Sequence, residues 1–121
     1  MEAGDRAERA RGWAMQAAAS QGPESLAIRI DGVFDIEAAQ AIRRRFGGLA
    51  DEAEVYVDLT RVREFHDHAV AALAEAIVAS RQRVYVRGLR QHQYRMLRYL
   101  GVPVGALDPG LAARPTVVRE A

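Results

Sequence analysis

A chain of 121 residues, half of them apolar, fits one ordinary domain that fills its core without cross-links. It contains no cysteine, which excludes disulfides, thiolate zinc sites and cysteine nucleophiles. Its 17 basic residues, all arginine, stand against 16 acidic ones, and a net charge of +1 argues against a nucleic-acid-binding protein.

No apolar run approaches the roughly 20 residues of a membrane helix, so direct membrane insertion is not expected. The acidic start, Met1-Glu-Ala-Gly-Asp5, leads into no hydrophobic segment. No signal peptide is therefore expected, and a cytoplasmic location suits the missing cysteine.

Residues 1–24 read as an N-terminal extension. Helix formers dominate it, so one option is a helix docked through Trp13, Ala14 and Ala17, and the other is a loosely held arm. Gln21-Gly-Pro-Glu24 marks the boundary. The alternation of Leu26, Ile28 and Ile30 with Ala27, Arg29 and Asp31 then predicts a half-buried strand. Asp31-Gly32 is a favoured hairpin dipeptide, which makes Val33-Phe34 a short strand turning back.

Asp35 is placed to cap a helix over residues 36–46, with Ile36, Ala39, Ile42 and Phe46 on one face. Arg43, Arg44 and Arg45 fall in its last turn, where the helix dipole favours cations. Gly47-Gly48 ends it.

Residues 54–60 are β-rich and predict a central strand, followed by a loop and a helix from Asp67, read as its N-cap, to about Ser80. Helical periodicity puts Val70, Leu73, Ala74 and Ile77 on one side of that helix. It puts His68, Ala71, Ala72, Glu75, Ala76 and Ala79 on the other, a smooth face with Glu75 as its only carboxylate.

Residues 83–87 predict the next strand. A helix over 91–100 follows, with Gln93, Met96, Leu97 and Leu100 sharing a face and Gly101 at its C-terminus. Residues 102–104 read as a short last strand and 107–121 as a surface tail. Strands alternating with helices predict an α/β domain over residues 25–106, with a mixed, mostly parallel sheet of four to five strands and three main helices in the order β-β-α-β-α-β-α, closed by the last short strand.

His66-Asp67-His68 is the most reactive-looking cluster, but two histidines at i and i+2 on a helix start diverge and lack a third ligand. No metal is expected there. The hydroxyls of Ser20, Ser25, Thr60, Ser80 and Thr116 sit in no glycine-flanked elbow, and neither a dinucleotide fingerprint nor a lysine-bearing phosphate loop is present. Asp31, Asp35, Asp58 and Asp67 all have strand-end or cap explanations. Neither catalysis nor a cofactor is therefore expected. A small-ligand site for an anion, nucleotide or lipid at the Asp67 helix start, with Arg61, Arg63 or Arg87 supplying charge, stays open.

Three segments together resemble the STAS domain, the module of sulfate-transporter tails and anti-sigma factor antagonists. They are Asp31-Gly-Val-Phe-Asp35; Val55-Tyr-Val-Asp-Leu-Thr60 with Phe65-His-Asp67; and Arg87-Gly-Leu89 with Leu97-Arg-Tyr-Leu-Gly-Val102. The resemblance runs from about Leu26 to Val104 and implies a STAS-like fold. It also implies a docking surface for a cytoplasmic protein: a sigma-regulatory kinase or sensor, or a transporter complex in which a small STAS subunit sits against an ATPase. The 63–69 loop and the helix after it would form that surface, with Asp35, His66, Asp67, His68, Ala69, Ala72, Glu75 and Ala76 as contacts. In the antagonist branch a partner kinase phosphorylates a hydroxyl at the position that Ala69 fills here, so that switch is not expected. A homodimer is also left open.

Overall fold

The computed structural model describes residues 12–19 and 25–103. Its spine is a pair of parallel strands, β2 (Ser25–Phe34) and β3 (Glu54–Phe65), in a four-stranded sheet of order β1-β2-β3-β4. β1 (Trp13–Ala19) flanks β2 antiparallel, and β4 (Arg83–Arg87) flanks β3 parallel. Three helices complete the fold: α1 (Ile36–Gly47), α2 (Asp67–Ala79) and α3 (Gln91–Tyr99). The element order matches the expected β-β-α-β-α-β-α.

The register explains why the sheet has one apolar and one polar face. Ala17, Ile28, Val57 and Val86 are aligned across the four strands, and the next row is Gln16, Arg29, Asp58 and Arg87. Side chains alternate along a strand, so the two rows point to opposite faces. Right-handed crossovers through α1 and α2 return on the same face. There Ile28, Val57, Val86, Ile42, Leu73 and Leu97 form one core. Phe34, Ile30 and Leu59 are also fully buried. On the polar face, Tyr56 and Tyr85 stack with ring centroids 5.1 Å apart.

Several expectations are corrected by the structure. Residues 13–19 form a strand, not a helix: Trp13 is buried, Met15 and Ala17 pack on the core, and their pairing with β2 outweighs the helix preference of alanine. The first strand of the sheet therefore comes from the presumed extension; residues 1–11 lie outside the described residues. Asp31-Gly32 makes no hairpin. β2 continues to Phe34 through two register shifts, and Gly32, at φ +97°, lets the Gly12 carbonyl approach where a Cβ would lie 2.4 Å away.

β3 does not stop at Thr60 but follows β2 to Phe65. No fifth strand is present among the described residues: Val102 is buried without strand pairing, and Val104 lies outside them. Leu100 is 41 % exposed, because it is the cap residue past α3 and has left the face shared by Gln93 and Leu97.

Helix ends are fixed locally. Asp35 caps α1 as expected, its Oδ1 accepting from the Ala38 amide at 3.0 Å. The Gln82 amide nitrogen donates to the carbonyls of Phe46, Leu49 and Ala50 at 3.1, 3.2 and 3.2 Å, which ties the end of α1 to the start of β4. Tyr94 of α3 reaches back, its hydroxyl oxygen accepting from the Gly88 amide at 3.1 Å.

Candidate functional site

The C-terminal ends of β2 and β3 lie side by side. The Phe34 and Phe65 rings meet edge to face at 6.1 Å, and the His66 amide donates to the Phe34 carbonyl at 3.0 Å. Asp35 and His66, the next residue of each strand, therefore stand together where α1 and α2 begin. Arg90 lies over the Phe65 ring, 5.8 Å from its centroid, and closes the site on the α3 side.

The expected 63–69 loop shrinks to one residue. Arg63, Glu64 and Phe65 belong to β3, and His66 is the cap of α2, its carbonyl accepting from the amides of Ala69 and Val70 at 3.0 and 3.1 Å. Asp67 is accordingly not the N-cap. It is the first helical residue, exposed, and its carboxylate complements the positive helix end. His66 Nε2 sits 3.2 Å from Glu64 Oε2, and its ring centroid is 5.8 Å from that of His68. Among the described residues no three histidine, aspartate or glutamate side chains converge as a metal set.

Six of the eight expected contact residues reach the surface. Asp35, His66 and Ala72 are half-buried, and Asp67, His68 and Glu75 are exposed. Ala69 and Ala76 are corrections: they are 0 % and 5 % exposed and belong to the core. The reason is that α2 packs on the sheet and also on α1, so its buried stripe widens to Ala69, Val70, Leu73, Ala74, Ala76 and Ile77. The outer face runs instead through His68, Ala72, Glu75 and Val78. Val78 is 52 % exposed, and Gly101 packs near its Cγ2, which brings exposed Leu100 and Tyr99 to the same end of α2. The sequence reading missed Val78, although it lies three residues, close to one helical turn, beyond Glu75.

Asp58 is the buried carboxylate among the described residues, on the sheet face opposite the helices. Its Oδ1 accepts from the Thr60 amide at 2.9 Å and the Thr60 hydroxyl at 2.6 Å, and its Oδ2 from Arg87 at 3.2 Å. Burial pushes this carboxyl up, but the Thr60 hydrogen bonds and Arg87 together outweigh it and hold the acid below its ordinary value. Arg87 is thereby committed to the sheet, which removes it from an anion site; Arg61 and Arg63 remain exposed. A cleft of about 320 Å³ lies at the opposite ends of α1 and α2, lined by Arg43, Phe46, Ala76, Arg81 and Gln82. No helix among the described residues is long and apolar enough to cross a membrane.

These features define a small mixed-sheet α/β domain with its helices on one face and an exposed helix beside the strand ends. A family model described as "Mlab, STAS domain" matches residues 17–107, and the chain belongs to the STAS domain family. No curated protein matches it in sequence. In fold it is similar to the crystal structure of an anti-sigma factor antagonist from Mycobacterium paratuberculosis, with 20 % identity, 83 % of this chain and 93 % of that chain covered, and a TM-score of 0.49.

Proposed function

We propose that this STAS domain is a non-catalytic regulatory module that binds a cytoplasmic protein through the outer face of α2. The contact residues are Asp35, His66, Asp67, His68, Ala72 and Glu75, extended by Val78. The observation that carries this reading is the combination of a low-relief helix face with the exposed apolar residues at its end, Val78, Tyr99 and Leu100. A face that carries Asp67 and His68 at its start, Glu75 along it and exposed apolar groups at its far end suits a protein partner, whose side chains bury the apolar end and pair with the polar residues.

Ala69 supports a mode of binding without a phosphorylation switch at that position. It has no hydroxyl and is fully buried at the base of α2. Partner exchange is then set by the partner's own state. Two partner classes fit: a sigma-regulatory kinase or sensor, and a transporter complex with its ATPase. The genes beside this one discriminate between them.

The test is isothermal calorimetry of the purified chain with the kinase or the transporter ATPase encoded nearby. Glu75→Arg and Val78→Asp are expected to weaken binding at least tenfold while leaving the melting temperature close to that of the parent chain. Unchanged affinity in both variants defeats the proposed face.

A further inference from the structure

We propose that the partner's footprint continues from α2 across the outer face of α3, and that the partner meets it there with an acidic segment whose carboxylates pair with Arg95 and Arg98. This rests on the reading of α2 as a docking face and names the chemistry of what docks. Charge is unevenly spread along the chain. From Ala76 to Pro103 the sequence carries Arg81, Arg83, Arg87, Arg90, Arg95 and Arg98, and no aspartate or glutamate. A one-signed block in a chain of net charge +1 suits a partner surface of the opposite sign.

Several of these arginines are occupied within the fold. Arg87 is bound to Asp58 at 3.2 Å, Arg81 lies 3.6 Å from Asp51, and Arg90 covers the Phe65 ring. Arg83 stands beside Glu54 in the β3–β4 register. Arg95 and Arg98 are different: both are exposed, and neither forms an ion pair with a carboxylate among the described residues. The helix dipole accounts for Arg98, in the last turn of α3, but not for Arg95, which precedes that turn. Three residues apart on a helix that bears no acid, the two guanidinium groups repel each other. An arriving carboxylate relieves that repulsion.

The arginines also border the apolar end of the α2 face. Arg95, Arg98 and Tyr99 share the side of α3 opposite its buried residues, Gln93 and Leu97. Tyr99 is 90 % exposed and Leu100 follows it, while a Cβ at Gly101 would lie 3.6 Å from Val78 Cγ2. Tyrosine and arginine around exposed aliphatic groups is the composition of an interface centre, where such residues carry most of the binding energy. Glu75 stands on α2 and Arg95 and Arg98 on α3, so the two helices offer opposite signs to a partner that spans them. That polarity sets the orientation: the partner's carboxylates lie over α3 and its base over α2.

The test is calorimetry of the full chain with the kinase or the transporter ATPase encoded nearby, at about 0.05 M and about 0.5 M salt. Arg95→Glu combined with Arg98→Gln should weaken binding about tenfold at the lower salt and much less at the higher, whereas Val78→Asp should weaken it alike at both. Arg43→Glu combined with Arg45→Gln makes the same charge change on α1 and should leave affinity within about twofold. Glutamine is used in the last turns because an acid there opposes the dipole. All four arginines are exposed, so circular dichroism should show the parent fold. An Arg95/Arg98 variant that binds like the parent, while Val78→Asp loses affinity, overturns the acidic segment and leaves the α2 reading standing. The reverse pattern defeats the α2 reading and keeps the arginine contact. Equal loss in the α1 control reduces the effect to overall charge and overturns the proposal. A wild-type chain that binds neither protein overturns both readings, and sedimentation with phosphatidylglycerol vesicles, lost in the Arg95/Arg98 variant, then assigns the pair to lipid headgroups.

Discussion

Arg87 on β4 donates to Asp58 on β3 at 3.2 Å, and the remaining oxygen of Asp58 is filled by Thr60 two residues further along its own strand. A buried carboxylate is tolerated only when its oxygens are met by donors in this way. The arrangement ties β3 to β4 at the last register position they share.

Asp58→Asn should therefore destabilise the domain by about 1–3 kcal/mol near neutral pH, because Arg87 loses its charged partner. The sign of the pH dependence follows from the lowered pKa of Asp58. A carboxyl held below its unfolded value contributes stability above about pH 3.9, and loses it as the pH falls toward the folded value. Urea unfolding at pH 7, 5 and 3 should show the gap between parent and Asp58→Asn closing between the last two. A gap unchanged at pH 3 contradicts the assignment.

Gly88→Ala is expected to cost about 2 kcal/mol or more. Gly88 has φ +97°, and a Cβ there would sit 2.4 Å from the Thr60 nitrogen and 2.5 Å from the Leu59 carbonyl carbon, both backbone atoms that cannot yield. The close crossing is what lets the chain leave β4 over β3 and enter α3. Thermal unfolding checks the cost, with Gly47→Ala as the control, since nothing lies within 4 Å of a Cβ at Gly47.

The parts of the fold legible in the sequence are those set by local chemistry. The Asp35 cap, the α1 face of Ala39, Ile42 and Phe46, and the alternation of Leu26, Ile28 and Ile30 all lie where periodicity and capping place them. What was illegible depends on pairing between distant segments. An alanine-rich stretch at 13–19 has helix propensity, and only the free edge of β2 makes it a strand. The register shifts at Arg29/Asp31 and Gly32/Val33 break the two-residue period, so β3 appears to end at Thr60 when it runs on to Phe65. Ala69 and Ala76 look outward on a helix packed against one surface, and are buried because α1 supplies a second.

Gln82→Ala should lower stability by about 1–2 kcal/mol, although the residue is only half-buried. Its amide donates to three carbonyls at and after the end of α1, those of Phe46, Leu49 and Ala50, of which Phe46 and Ala50 also accept the amides of Leu49 and Ala53. Helix ends carry unpaired carbonyls that need donors, and no other side chain among the described residues meets these three. Hydrogen exchange should show the turn at residues 47–53 opening faster in the variant, while β2 keeps its protection. Equal exchange in the turn removes the role given to Gln82.

Ala69→Asp separates a surface position from a core one. A phosphate-like charge at an exposed helix start is tolerated and even favoured by the dipole. At Ala69 the new carboxylate enters a fully buried site packed with the core. Burial without a partner then dominates, and the variant should lose about 3 kcal/mol or more. Asp67→Ala, by contrast, removes an exposed first-turn acid and should cost only about 0.3–1 kcal/mol. Denaturant midpoints for the pair read this difference directly. An Ala69→Asp chain as stable as the parent shows that the position opens to solvent, and a regulatory charge there becomes admissible.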